Sequence, residues 1–318
     1  NNYHSLMDHL GSGREWDLVR KNGGLNIFPP FSEKGNKPYS GRVDALASLL
    51  GFLRNQKEKY VVITDTNIVM NFDFNAMIKE HMESGADVTV AYNEQELPES
   101  LIQSKDNNKG FYYTFRIEDG RITKIYVNPK EDGVQNFSMN VYLIDRELLI
   151  DLINTAFVHG QAYFERDVLL PNLNKLNVHA YKYEGYVARI TSLKSYFDEN
   201  MKLLDDYNLD ALFSGFPIYT KIRDDNPTKY IEGAKVQNVM AADGCLIEGE
   251  VENSILFRGV KIAKGAKVKN CILMQGTTVE AGADIEYLIA DKNVMVTAGK
   301  EMKGADSFPI YIGKSKKI

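Results

Sequence analysis

Gly233-Ala234-Lys235-Val236-Gln237-Asn238 returns almost unchanged as Gly265-Ala266-Lys267-Val268-Lys269-Asn270, and this recurrence constrains the fold more than any other feature of the chain. Setting residue 262 under 279 and then under 296 aligns Gly265 with Gly282 and Gly299. The same shift aligns Val268 with Ile285 and Met302, and Ile272 with Ile289. A 17-residue period of short apolar steps is close to three hexads per coil. Such coils stack on one another, so the recurring Val and Ile fill a continuous interior column. Helical repeats fit poorly, because β-branched residues and glycines recur throughout. Residues 231–318 are therefore expected to form a parallel β-helix of hexad repeats.

Upstream of the repeat the periodicity differs. Tyr60-Val61-Val62-Ile63-Thr64 reads as a buried strand, followed by a loop rich in Asp and Asn. Phe74, Met77, Ile78, His81 and Met82 then recur at helical spacing, and Ser84-Gly85 punctuates the helix end. Asp87-Val88-Thr89-Val90-Ala91-Tyr92 is the next strand. Strand, helix and strand within about 30 residues make a βαβ unit, which implies a parallel sheet. Asp119-Gly120 between apolar runs marks a hairpin turn, and Ser138 to Ile144 reads as a further strand. Leu193, Phe197, Asn200, Met201 and Leu204 share one face of a helix that starts near Ser192. The expected organisation is an α/β domain over residues 1–205, a linker over 206–230, and the β-helix over 231–318. The linker holds Pro217 and the turn-rich Asp224-Asp225-Asn226-Pro227.

The 318-residue chain carries 38 Lys plus Arg against 43 Asp plus Glu, a net charge of −5. That mild acidity argues against a dedicated nucleic-acid surface. No apolar run approaches the roughly 18 residues of a membrane span, and no signal-peptide pattern opens the sequence. Cys245 and Cys271 have no second cysteine pair with which to form a metal site, and such sparse use suits a reduced cytosolic compartment. His4, His9, His81, His159 and His179 form no metal pattern; His81, on an apolar helix face, reads as a core residue. Lys314, Lys316 and Lys317 form a basic tail that is either solvated or a contact for an anionic effector.

Shorter signals run in order along both halves. Gly13-Arg14-Glu15-Trp16-Asp17-Leu18, Gly23-Gly24 and Pro29-Pro30 come first. Tyr39-Ser40-Gly41-Arg42-Val43-Asp44-Ala45, Thr64-Asp65-Thr66, Ser138-Met139-Asn140-Val141-Tyr142, Glu184-Gly185-Tyr186 and Val251-Glu252-Asn253-Ser254 follow. Together with the α/β-then-β-helix order, they resemble glucose-1-phosphate adenylyltransferases, also called ADP-glucose pyrophosphorylases, along nearly the whole chain. The resemblance implies a Rossmann-like nucleotidyltransferase domain followed by a left-handed β-helix. The activity it implies is transfer of AMP from ATP to glucose 1-phosphate, releasing pyrophosphate, on the route to glycogen. That chemistry needs Mg²⁺ held by carboxylates, cationic clamps on phosphates and a Gly-rich loop around the triphosphate. The chain begins at Asn1 rather than Met, and the Gly-rich loop is expected upstream of it, in a part of the domain truncated here. Gly11-Ser12-Gly13 lacks a following Lys-Ser/Thr and reads as a turn.

Several family positions have changed. Asp65 is retained at the carboxyl end of a strand, where α/β ligands sit. It stands as the candidate metal ligand, or as a helix N-cap or Asx turn. The family's Glu-Glu-Lys-Pro, whose lysine grips the sugar phosphate, corresponds to Tyr126-Val127-Asn128-Pro129, so the lysine position is Asn128. Lys130, two residues on, would point to the same side in an extended segment; it is a substitute lysine or a solvated one. Gly185-Tyr186-Val187-Ala188-Arg189 stands where the family reads Gly-Tyr-Trp-x-Asp, so Arg189 replaces a metal-binding carboxylate. At an effective dielectric near 20, unit charges 4 Å apart interact by about 4 kcal/mol, so that exchange is a swing of roughly 8 kcal/mol beside a cation. Arg189 is left to bind a phosphate directly or to pair with an acid. Gly41 and Asp44 keep positions near the nucleotide base, but Arg42 replaces a small Thr where close approach is needed. By resemblance the substrate-binding candidates are Gly41, Asp44, Ser138, Glu184, Gly185 and Lys130, with Asp65 for metal.

The combination resembles the non-catalytic, regulatory D-type subunits of the bacterial enzyme. It implies a cytoplasmic subunit of glycogen biosynthesis, impaired in catalysis and regulatory within a hetero-oligomer, expected to be a tetramer with a catalytic chain of the same family. ATP, glucose 1-phosphate or an anionic effector are its candidate ligands. An adenylyltransferase active in its own right, self-association and a purely structural assembly subunit remain open. A hexad-type acyltransferase commonly uses a His base in the β-helix, and here every histidine precedes residue 180.

Overall fold

A computed structural model describes residues 4–20, 23–29, 39–97, 111–131, 133–221 and 223–318; Pro30 of the Pro-Pro pair lies outside these. The chain divides into two compact units, Asn1–Thr66 with Phe72–Glu184, and Asn67–Asn71 with Gly185–Ile318. The division falls at Glu184, upstream of the boundary expected at 205. The strand and two helices after Gly185 group with the β-helix, and one of those helices occupies part of the stretch read as a linker.

In the first unit, α1 (His4–Leu10), α2 (Arg42–Ser48) and α3 (Leu50–Arg54) precede β1 (Tyr60–Ile63). After β2 (Ile68–Met70), which belongs to the second unit, α4 (Phe74–Ser84) leads to β3 (Val88–Glu96), β4 (Tyr113–Glu118), β5 (Arg121–Val127) and β6 (Val134–Asp145). Then come α5 (Arg146–Val158) and β7 (Val178–Lys182). The sheet order is β1-β6-β3-β7-β5-β4. The βαβ unit is present in direction but not in adjacency. β1 and β3 both run antiparallel to β6, which lies between them, and β3 pairs in parallel with β7. The sheet is therefore mixed, not parallel as the local pattern implies, because a strand some 70 residues downstream supplies the middle partner and local periodicity carries no record of it.

Local chemistry sets the element ends. The Asp73 carboxylate accepts from the Asn75 and Ala76 amides to start α4, and Gly85 at φ 58° ends it. His81 is buried, with Nδ1 2.8 Å from the Thr89 hydroxyl and its ring edge-on to Tyr60. Of the other face residues, Met77 is buried, whereas Phe74 and Met82 are exposed. Asp119 (φ 50°) and Gly120 (φ 75°) make the β4–β5 hairpin turn, pairing Glu118 with Arg121. Val88, Val90, Tyr142 and Ile144 of the sheet, with Leu149 and Ile153 of α5 and Val43 of α2, form the core on one face.

In the second unit, β2 pairs antiparallel with β8 (Val187–Arg189). Ser192 and Ser195 exchange side-chain to backbone bonds in a capping box that opens α6 (Leu193–Lys202). Asp205 caps α7 (Asp206–Phe213). Thirteen short strands follow over Lys229–Ile312, stacked in parallel. Val236 pairs with Val251, Val251 with Val268, Val268 with Ile285 and Ile285 with Met302. The first step is 15 residues and the later ones 17, so the two near-identical segments lie two coils apart. Val251, Val268 and Ile285 are buried to 2% exposure or less, and Ile262, Val279 and Val296 form a second column. Each such side chain contributes about 1.5–3 kcal/mol. Corner positions Asn238, Asn253 and Asn270 take φ between 44° and 51°, where a short polar side chain is tolerated, and the Asn238 amide donates to Asn253 Oδ1 at 2.9 Å. Among the described residues no helix is long and apolar enough to cross a membrane.

Candidate functional site

Asp65 lies two residues past the end of β1, whose last residue, Ile63, pairs with Tyr142 of β6. The register between β3 and β6 jumps from Ala91–Val141 to Tyr92–Ser138, so Met139 and Asn140 form a bulge. Asn140 sits at φ 53°. The family motif has Gly there, and Asn is among the few residues that occupy the left-handed region readily. Beside this bulge the Asn140 side-chain Nδ2 donates across to Asp65 Oδ2 at 2.8 Å. The buried Ser138 hydroxyl accepts from the Asn140 backbone N–H at 3.1 Å and fixes the turn.

The other Asp65 oxygen accepts from Arg42. Arg42 opens α2 behind Gly41, and the helix start is pinned because the Val43 amide donates to the Ala162 carbonyl at 3.0 Å. Gly41 is needed for that approach, since a Cβ there would lie 2.3 Å from the Ala162 oxygen. The Arg42 guanidinium then spans two carboxylates, with Nη2 on Asp65 Oδ1 at 2.7 Å and Nη1 on Glu165 Oε1. Glu165 lies on the π-helical segment Phe164–Leu169 and is 4% exposed. The fully buried Tyr142 hydroxyl donates to the same Glu165 oxygen at 2.5 Å, and Arg42 Cζ stands 5.1 Å from the Tyr142 ring centre. Burial works against the charged guanidinium, but Tyr142, Glu165 and Asp65 around it hold its pKa above the usual arginine value. Burial and then the Glu165 charge push the Tyr113 and Tyr142 phenols well above theirs.

This geometry does not fit a divalent cation at Asp65. Both carboxylate oxygens already accept hydrogen bonds, one of them from a fixed positive charge 2.7 Å away. Among the described residues no three His, Cys, Asp or Glu side chains converge as a metal site. What the arrangement can do is hold the end of β1, the bulge of β6 and the start of α2 in one charge-compensated cluster.

Of the residues singled out in the sequence, Gly41, Asp65 and Ser138 come together here. Asp44 turns to the local backbone instead, accepting from the Ser40 amide at 2.9 Å. Asn128 takes φ 48°, and its Oδ1 accepts from the Tyr112 amide at 2.9 Å. The segment is thus not extended, and the alternation that set Lys130 beside Asn128 does not apply; Lys130 is exposed. Glu184 is exposed and 3.4 Å from Lys182. Gly185 opens the second unit's main stretch, and Arg189 is buried there on β8, opposite Ile68. Gly11-Ser12-Gly13 forms a turn leading into a short 3₁₀ segment.

Sequence reasoning treated Arg42 as an obstacle and passed over Asn140, Tyr142 and Glu165. The signal for Asn140 is its place in the motif's Gly position. For Glu165 the sequence offers no such signal, since it opens the charged triplet Glu165-Arg166-Asp167 and only the fold buries it to 4% exposure.

Residues 1–206 match the Nucleotidyl transferase family, and residues 225–307 match the GlmU-like C-terminal hexapeptide family. The chain is similar to the glycogen biosynthesis protein GlgD of Bacillus subtilis (strain 168), 32% identical over 269 residues covering 84% of this chain and 66% of that protein. It is 37% identical over 272 residues to GlgD of Geobacillus stearothermophilus, with 84% and 66% covered. Its identity to the glucose-1-phosphate adenylyltransferase of Geobacillus stearothermophilus is 32% over 269 residues, with 83% and 67% covered. The chain thus spans slightly under two thirds of the length of the two GlgD relatives.

Proposed function

We propose that this chain, which belongs to the nucleotidyl transferase family in its glucose-1-phosphate adenylyltransferase branch, is a regulatory subunit of glycogen biosynthesis with little catalytic activity of its own. The observation that carries this reading is the engagement of both Asp65 oxygens by Arg42 and Asn140. Phosphoryl-group chemistry of this class depends on carboxylates free to hold metal ions beside the triphosphate. Here the retained carboxylate is neutralised from within, Asn128 closes a turn where a sugar-phosphate lysine is expected, and Arg189 stands in place of the second carboxylate. The two GlgD relatives, described as glycogen biosynthesis proteins, support the same reading. Its partner is a catalytic chain of the same family in a cytoplasmic hetero-oligomer. Its residual ligands are ATP, glucose 1-phosphate or an anionic effector bound without turnover.

The test is pyrophosphate release from ATP, glucose 1-phosphate and Mg²⁺, measured on the full-length protein alone and titrated into a fixed amount of catalytic subunit. A background rate alone, with a shift in the partner's maximal rate or saturation, supports the regulatory role. A substantial rate alone identifies an active adenylyltransferase and overturns it. No rate alone and no effect on the partner leaves an assembly role only.

A further inference from the structure

We propose that the groove between α6 and one corner row of the β-helix binds a neutral oligosaccharide, at a site drawn wholly from residues of the second unit. Phe197 of α6 packs on Ile272 and Ile289 and holds the helix against the coils. Beside that contact, the helix and the corners Asn238, Asn253, Asn270 and Tyr287 line an open groove of about 770 Å³. That size lies within the range of small-molecule sites.

Stacked asparagines at such corners can bond amide to amide from coil to coil. Here the ladder makes one rung, from the Asn238 amide to Asn253 Oδ1 at 2.9 Å, and then stops. Asn270 gives its Nδ2 to Glu286 Oε1 at 3.5 Å instead. Asn253 Nδ2 and Asn270 Oδ1 are thus left without a hydrogen-bond partner among the described residues, on adjacent coils. At the fourth corner asparagine gives way to Tyr287, held at φ 49°, a conformation that bulky residues rarely adopt. Its backbone is fixed there, the amide donating to the Lys269 carbonyl at 3.2 Å and the carbonyl accepting from the Ile310 amide at 2.9 Å. The corner row therefore ends a free donor and a free acceptor on a half-buried aromatic ring. A hydroxyl both donates and accepts, so the vicinal hydroxyls of a pyranose answer the two amides, while its apolar ring face packs on an aromatic side chain. The lining charges decide against an anion. Asp198, Asp205 and Asp306 line the groove with Lys202, and that lysine is 2.7 Å from Glu199. Phosphorylated ligands are repelled by such an excess of carboxylates.

The experiment is equilibrium dialysis of labelled maltotriose and of labelled cellotriose against the full-length protein, with ATP and glucose 1-phosphate as competitors. Wild type, Asn253→Gly and Tyr287→Asn are compared, with melting temperatures measured alongside. Gly and Asn both tolerate a left-handed corner, and Tyr287→Asn repeats the corner residue of the three coils before it. Wild type is expected to bind one trisaccharide per chain saturably, undisturbed by either anion. Each folded variant is expected to bind it about tenfold more weakly, through loss of a hydrogen-bond donor or of the ring contact. Binding of either probe supports the proposal, and the preferred one identifies the glycosidic linkage. Absence of saturable binding of both probes overturns it, as does wild-type affinity in any folded variant. Displacement of the sugar by ATP or glucose 1-phosphate overturns the neutral-ligand assignment. Asn270→Gly takes the place of a variant that fails to fold. Pyrophosphate release is not read, so the outcome stands apart from the regulatory assignment.

Discussion

Arg42 Nη2 lies 2.7 Å from Asp65 Oδ1, joining the first residue of a helix to the carboxyl end of the neighbouring edge strand. The contact turns the one retained candidate metal carboxylate into half of an ion pair.

Restoring Arg189 to Asp does not by itself restore turnover, because Asp65 remains tied to Arg42 and Asn140. The R189D protein is expected to release pyrophosphate at background, as wild type does when assayed without partner. A rate clearly above wild type would show that Asp65 is free to act.

Glu165→Gln removes one of two charges facing Arg42 but keeps the Asp65 contact and an oxygen for Tyr142. The expected loss is about 1–3 kcal/mol of folding stability, read from urea midpoints. Arg42→Ala, which leaves two carboxylates facing one another, is expected to cost about 3–5 kcal/mol at neutral pH.

Asp167 gives a low-pH dependence. Bonds from the Arg166 guanidinium and the Tyr163 and Ala162 amides hold its carboxyl at about 2, below its ordinary 3.8. A depressed folded-state pKa contributes stability that is complete above the unfolded value and is lost as pH falls through the folded one. Asp167→Asn should therefore flatten the fall in urea midpoint between pH 3.8 and 2, and an unchanged slope would refute the assignment.

His81 acts in a higher window with the same sign. Burial, reinforced by nearby His179 and Lys59, holds its imidazole below the usual 6.5. Its neutral form contributes stability above pH 6.5 that diminishes as pH falls and the folded protein resists protonation. An imidazole titration followed by NMR should place His81 below the ordinary 6.5, and a value at or above it would refute the assignment.

Ile285→Ala in the middle of the β-helix column is expected to cost about 2–5 kcal/mol, because the stacked coils above and below cannot collapse into the cavity. Met302→Ala, at the half-buried end of the same column, should cost clearly less. Equal costs would argue against a stacked interior.

Much was legible in residues close in sequence. The 17-residue period gave the pairing of Val268 with Ile285 and of Ile272 with Ile289, and Asp119-Gly120 gave the hairpin. The α4 face was legible in part, since Met77 and His81 are buried but Phe74 and Met82 are not. The place of β6 between β1 and β3 was not, nor was the 15-residue first coil, because both depend on partners outside any local window.

At the site the same division holds. Sequence alone determined that a carboxylate, Asp65, ends a strand, and that Arg189 and Asn128 stand at positions where family chemistry needs other groups. Periodicity and motif order are local properties, and they survive in a linear reading. Only the tertiary structure decided that Arg42 bridges Asp65 to Glu165. That contact exists because the strand order, the Asn140 bulge and the π-helical turn bring residues 42, 65, 140 and 165 within hydrogen-bond reach, where burial requires every charge to find its partner.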